Sequence, residues 1–295
     1  MRATCLMICI VFAFAACRSD SGGGGGGGGS PDAPVVNPSM SVKSVRMTQP
    51  TNGAMISFAN VVVVAHVSSK KYGHVWVQDQ GGGTYSGIQI YCNYGGTTPN
   101  CSMTQAQIDA LAVGSVVNVT GTFKSFLLST APAGAQPTLE IDTPVITATG
   151  QSMPPVAVDV PAATIAKAQL ASAAAEPYKG TYVHVTGPFP VSSIAATEFS
   201  SSCTDKSMPV QTGTTFSGFE ATSGSDTLAI GLGFYSTMTY CLPCAGVAKP
   251  YPCVNPVSTA LHFSTVSGIV EPEYSSNGAV YLQVSPVTDA DLPKM

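Results

Sequence analysis

The sequence predicts an all-β fold of two tandem five-stranded barrels. Three observations carry that expectation. Apolar and polar residues take turns along short segments bounded by glycine, and long stretches of helical period are scarce. Residues 57–148 read as three strands, a short helix and two strands. A two-strand unit, VVNVTGTF followed by TLEIDTPVITA, returns near the C-terminus as FSTVSGIVEPEY followed by VYLQVSPVTDADL.

Composition agrees with an exported β protein. Only 9% of the 295 residues are charged and 44% are hydrophobic, so a real core can be buried. Typical chains carry about 25% charged residues. The net charge of −4 excludes bulk attraction to polyanions.

Taken in order, the chain opens with Met1-Arg2, an apolar run from Cys5 to Ala16, and Cys17. The run is shorter than the ~20 residues that span a bilayer. A basic start, an apolar run, small residues and a cysteine resemble a bacterial lipoprotein signal. That resemblance implies cleavage after residue 16, lipid on Cys17, and anchorage to the cell envelope. Arg18 stands where the family uses Asp for inner-membrane retention, which implies the outer membrane if the cell has one. An ordinary cleaved signal with an incidental Cys17 is the alternative. Residues 17–44, rich in glycine, are expected to form a disordered tether.

The first barrel is expected over 45–150. Ser57 to Ser69 reads as a strand buried on both faces, GHVWVQDQGGG as a second and SGIQIYC as a third. Met103 to Leu111 predicts a short helix capped by Thr104. The fourth strand, GSVVNVTGTFKSF, carries Gly121 at an expected bend or bulge, and TLEIDTPVITA is the fifth. This order is that of an OB-fold. The stretch from Met47 to Ala148 also resembles bacterial extracellular OB-fold domains found beside secreted nucleases and in envelope proteins. The shared pattern is an aromatic QD strand, a Gly turn, GIQIY, LAVGSVVNVTG and LEI.

Residues 151–175 read as a Pro-rich, semi-rigid linker, with a short helix possible over Ala163 to Ala174. The second OB-like barrel is expected over 176–295, with a Cys-rich insertion where the first has its helix.

Nine cysteines are present. With Cys5 and Cys9 in the signal and Cys17 lipidated, six remain for disulfides. Cys92 and Cys101 bracket a polar turn and are expected to pair. Cys241 and Cys244 are each expected to bond Cys203 or Cys253. Zinc at CLPC is disfavoured by the oxidising compartment.

No catalytic constellation stands out. His66, His74, His184 and His262 each fall in a strand, without HExxH or a GxSxG elbow. Asp79, Asp205 and Asp226 are isolated. No metal, cofactor or enzymatic activity is expected; an unfamiliar active site in the Cys241 to Cys253 insertion is the remote alternative. Binding is the stronger expectation. OB barrels use the face of strands two and three. With Val75, Val77, Ile88 and Ile90 inward, His74, Trp76, Gln78, Gln89 and Tyr91 point outward. A glycan or an envelope protein is the expected ligand. Single-stranded nucleic acid is the alternative, supported only by Lys70, Lys71 and Lys124. Trp76 packed on the linker or the second barrel is the competing reading of that residue. Oligomeric state is not legible.

Overall fold

The computed structural model describes residues 39–68, 72–95, 99–194, 218–233, 240–241, 255–274 and 278–295. The described residues are mostly β. The first sheet contains β1 (Met55–Ser68), β2 (Tyr72–Gln78), β3 (Gly87–Asn93), β4 (Ser115–Phe126) and β5 (Thr138–Ser152). They close into a barrel in the order β1-β2-β3-β5-β4. The β3–β5 contact is parallel and the others antiparallel.

β-Branched residues account for this barrel. Val61, Val63, Val75, Val77, Ile88, Ile90, Val117, Val119 and Ile141 fill one core. Each such side chain is worth roughly 1.5–3 kcal/mol when fully withdrawn from water. The expected double burial of β1 is present. Val61 and Val63 face the barrel interior, while Val64 and Ala65 join a second cluster outside it. The pairing of β4 with β5 slips between Thr120 and Thr122. A Cβ on Gly121 would lie 2.5 Å from Ile141 Cγ2, so the bend there requires glycine.

Two short helices attach to this barrel. α1 (Val42–Thr48) buries Val42 and Val45 in its core. The helix corrects the expected tether boundary at residue 44. Met40 N donates to Ser57 O, and Val42 N and Lys43 N donate to the Asp79 carboxylate, so the chain is already folded there. α2 (Gln105–Asp109) lies within the expected helix. Thr104 caps it, with Gln107 completing a capping box. Ile108 carries its buried face.

The second sheet contains β6 (Val158–Asp159), β7 (Tyr182–Ser193), β8 (Gly218–Ser223), β9 (Asp226–Gly231), β12 (His262–Tyr274) and β13 (Val280–Ser285). A separate pair joins β10 (Tyr240–Cys241) to β11 (Asn255–Pro256). β12 bonds both β13 and β7, so five strands run in a ring β7-β8-β9-β13-β12, with β6 added to β7. Its single internal parallel contact, β9 with β13, corresponds to β3 with β5. The core includes Val183, Val185, Phe189, Phe219, Leu228, Ile230, Phe263 and Leu282. In the final segment, Val287 N and Thr288 N both donate to Asp291 Oδ2 at 2.9 Å, closing the chain end onto the sheet.

The segment before β7 differs from expectation. Ala163 to Ala174 does not form an α-helix. It makes two short 3₁₀ turns, Ala162–Thr164 and Lys167–Gln169. Ile165, Leu170 and Ala175 are buried in the second core, so this stretch of the expected semi-rigid spacer packs against it. Tertiary burial of three apolar residues outweighs the weak cooperativity of so short a helix.

Cys92 and Cys101 form the expected disulfide, with Cα atoms 4.9 Å apart. Cys17, Cys203, Cys244 and Cys253 lie outside the described residues, as do the Cys241 side chain, Lys70 and Lys71.

Candidate functional site

The register of β2 and β3 places the expected site residues together. His74 faces Tyr91, Trp76 faces Gln89, and Gln78 faces Gly87. All point away from the barrel core, as alternation requires. Their exposure follows the competing reading of Trp76, packed against the second half of the chain, and not the open platform. Trp76 is 3% exposed, Gln78 0% and Gln89 7%. The indole packs with Val64, Ala65, Ile269 and Val287, and Tyr182 lies against the same cluster. The expected open aromatic platform is thus covered by β12, β7 and the C-terminal segment. Outward-pointing side chains reach solvent only where nothing else packs on the sheet.

Each polar member acquires a specific partner. Gln78 Nε2 donates to Val156 O at 3.2 Å, pinning the segment that follows β5. Gln89 Nε2 donates to His74 Nδ1 at 2.5 Å, which leaves the imidazole proton on Nε2. Burial lowers the His74 pKa to about 4, so the ring is neutral at physiological pH. That ring stacks on Trp76 at 5.7 Å and meets Tyr91 at 5.3 Å. Tyr91 remains half-buried at the edge of the face.

Lys124 sits beyond Tyr91. Its Nζ lies 3.0 Å from Asp142 Oδ2 and 3.4 Å from Glu140 Oε1, and it caps the Phe126 ring at 4.9 Å. Burial raises the Glu140 carboxyl to about 7 despite the lysine beside it. The other histidines also lie in strands; His184 Nδ1, for example, is 2.9 Å from Ser267 Oγ. Among the described residues, no group of three or more His, Cys, Asp or Glu side chains is placed to hold a metal ion.

A cleft of about 180 Å³ opens beside the covered face. Trp76 and Gln89 line it from the first sheet, Gln136 from the loop before β5, and Glu271 from β12. Arg46 of α1 and Lys179 complete its charged wall. Arg46 Nη1 donates to Gly87 O at 3.0 Å and also to Lys179 O. Nη2 donates to Glu176 O at 3.4 Å. Glu176 is shared: its Oε2 lies 2.7 Å from Lys179 Nζ, and its Oε1 lies 4.0 Å from Arg46 Nη2. Glu271 is buried and accepts from Ser285 Oγ at 2.9 Å. Burial, reinforced by the neighbouring Glu273, holds its carboxyl well above the ordinary range.

No family model matches the chain, and no curated protein matches it. The site is therefore read from its own chemistry. It unites Trp76 and Gln89, which sequence periodicity singled out, with Arg46, Gln136, Lys179 and Glu271, which it did not. One signal did mark Arg46: it is the only arginine after residue 18. A lone arginine in so charge-poor a chain asks for a dedicated role. Lys179, Gln136 and Glu271 carry no comparable mark.

Proposed function

We propose that the protein is a non-catalytic, lipid-anchored binding protein of the cell envelope. Its two rings are read as OB-type barrels, and its ligand as a glycan held in the cleft beside Trp76. The strand order β1-β2-β3-β5-β4, with α2 between the third and fourth strands, supports the OB reading. The same cyclic order in the second sheet supports a tandem pair. The signal-like start supports lipid on Cys17 and, if the cell has an outer membrane, a position there.

One observation carries the ligand class: an indole, two amide side chains and a carboxyl group converge on one small cleft. A sugar presents a rim of hydroxyls that both donate and accept, while the enclosed indole, 3% exposed, adds only a small apolar contact. Gln89, Gln136 and Glu271 supply that mixture of donors and acceptors. Apolar lining with a few placed polar groups is the usual make-up of a small-molecule site.

Nucleic acid is less favoured. Lys124 is held by two carboxylates, and the Arg46 guanidinium is engaged by backbone carbonyls. A phosphate track needs cations free to replace counterions.

The test is an oligosaccharide array probed with the full chain purified in detergent. Carbohydrate retention that changes little with salt, and is lost in Gln89→Ala and Gln136→Ala, supports the reading. No carbohydrate retained by folded protein overturns it. So does capture of single-stranded oligonucleotides with a steep salt slope.

A further inference from the structure

We infer that the tip of the β4–β5 hairpin, Phe126-Leu127-Leu128, is a membrane-contact surface that seats in the interface of the phospholipid bilayer. This rests on the lipid-anchor reading above and adds a second point of contact to it.

The argument begins with exposure. Phe126 is 37% exposed, Leu127 44% and Leu128 48%. Solitary exposed apolar residues are ordinary on a soluble surface, but three large ones in succession form a patch. Met55, also exposed, stands at the start of β1 opposite Thr122 of β4, on the way to the same tip.

Charge sets the limits of this patch. Residues 125–139 hold no charged side chain. Lys124 and Glu140 face each other across the hairpin immediately below it, and Lys124 Nζ lies 3.4 Å from Glu140 and 3.0 Å from Asp142. Everything beyond that ion-pair cluster can leave bulk water without desolvating a charge.

The tip is also held in place. Ala131 N donates to Leu128 O at 3.0 Å, and Ala135 N donates to Pro132 O at 3.1 Å, so the loop folds on itself in two turns. Its returning arm rests on the β12–β13 hairpin, where a Cβ on Gly134 would lie 3.6 Å from Val280 Cγ2. With the loop already ordered, contact costs little further conformational entropy. An irregular loop cannot enter the hydrocarbon core, where every backbone N–H and C=O needs a partner. The depth is therefore that of the headgroup–acyl boundary.

Two observations favour a bilayer over a second copy of the chain. Three half-exposed side chains fall well short of the ~800 Å² per partner of a standard protein interface. The path of the chain supplies the other. It enters the fold beside Ser57, with Met40 N donating to Ser57 O and Ala59 N donating to Ser39 Oγ. Ser57 pairs with Thr120, and Phe126 lies six residues further along β4. That is about 20 Å at the rise of a strand. Cys17 lies 22 residues before Ser39. Glycine-rich chain of that length spans about 25 Å on the root-mean-square. A lipid on Cys17 thus keeps the bilayer within reach of the tip.

Depth-dependent fluorescence quenching tests this. The full chain, purified in detergent, is reconstituted into vesicles of phosphatidylethanolamine and phosphatidylglycerol containing brominated phosphatidylcholine. Leu127→Trp reports on the tip. Val113→Trp, an exposed position just before β4 and so at its other end, is the control, and the buried Trp76 is a common background. Quenching of Leu127→Trp about threefold or more above that of Val113→Trp is expected, because only the tip reaches the acyl boundary. The intact mass shows whether the chain carries acyl groups. Equal quenching at the two positions in an acylated chain overturns the inference and leaves the lipid-anchor reading intact. Preferential quenching at residue 127 in a chain without acyl groups supports the tip and overturns the anchor. Equal quenching without acyl groups overturns both. Cross-linked dimers that Leu127→Ser with Leu128→Ser abolishes, in a chain unquenched at residue 127, assign the patch to a second copy and overturn the inference.

Discussion

Gly87 and Gly180 meet backbone to backbone: a Cβ on Gly87 would lie 2.0 Å from the Gly180 carbonyl oxygen. Gly180 has a φ of +71°, a conformation that glycine adopts without penalty. Arg46 sits directly over the junction, 2.6 Å from where a Gly180 Cβ would stand. The first sheet, α1 and the segment before β7 are thereby held in one arrangement, and that arrangement builds the cleft.

Gly87→Ala is expected to push this junction apart. The clash is with backbone, which has no flexible end to swing aside. A loss of about 1–3 kcal/mol, the usual range for overpacking, is expected. The urea midpoint measures it. An unchanged midpoint would contradict the close approach.

Arg46→Met keeps the length and apolar stem of the side chain and removes its donors. Gly87 O and Lys179 O then lose the bonds they accept from Nη1. The expected cost is about 2–4 kcal/mol, since buried acceptors are left without partners. Chemical unfolding measures it, and a loss under about 0.5 kcal/mol, typical of surface substitutions, would show the guanidinium to be dispensable.

Trp76→Ala separates two views of the indole. A solvent-facing platform would change stability by no more than about 0.5 kcal/mol. The enclosed Trp76 seen here is expected to cost about 3–5 kcal/mol, because a large side chain is deleted from a packed cluster. Thermal unfolding of the variant distinguishes them.

His74 and Glu140 make stability respond to pH in opposite directions. The His74 pKa falls from 6.5 in the unfolded chain to about 4 when folded, with burial as the cause. The folded protein then binds fewer protons over that window, so stability is lost as pH drops through it. Glu140 rises from 4.5 to about 7, chiefly by burial, so the folded protein binds more protons and gains stability as pH drops from about 7 to 4.5. Each effect is on the order of 3 kcal/mol. Removing the histidine in His74→Gln is expected to move the pH of maximum stability toward acid, and Glu140→Gln toward neutrality. Melting temperatures measured across that window check both signs; a shift of the optimum in the reverse direction for either variant would refute its assignment.

The Cys92–Cys101 bond closes a short loop, with a sequence separation of 9. On the loop-entropy estimate, Cys92→Ser with Cys101→Ser is expected to cost about 2–3 kcal/mol. Unfolding with and without reductant gives the comparison. The double variant should be insensitive to reductant at this site.

Short-range regularities determined much of this protein from sequence alone. Alternation along β2 and β3 set which side chains of Val75, Trp76, Ile88 and Gln89 face inward or outward, because a strand's period of two is local. Thr104 marked its helix, Gly121 its bend, and two cysteines across one polar turn their bond, each through a residue type that signals its own local geometry. α1 escaped notice because only Val42 and Val45 face the core, too few to reveal a period. Only the tertiary structure decided what the outward face meets. Trp76 is buried by Ile269 and Val287, from the far C-terminal part of the chain, and Arg46 is drawn to carbonyls at Gly87 and Lys179. Alternation assigns a side of the sheet, but solvent exposure is a property of every segment that packs there. No local pattern records that distant chain.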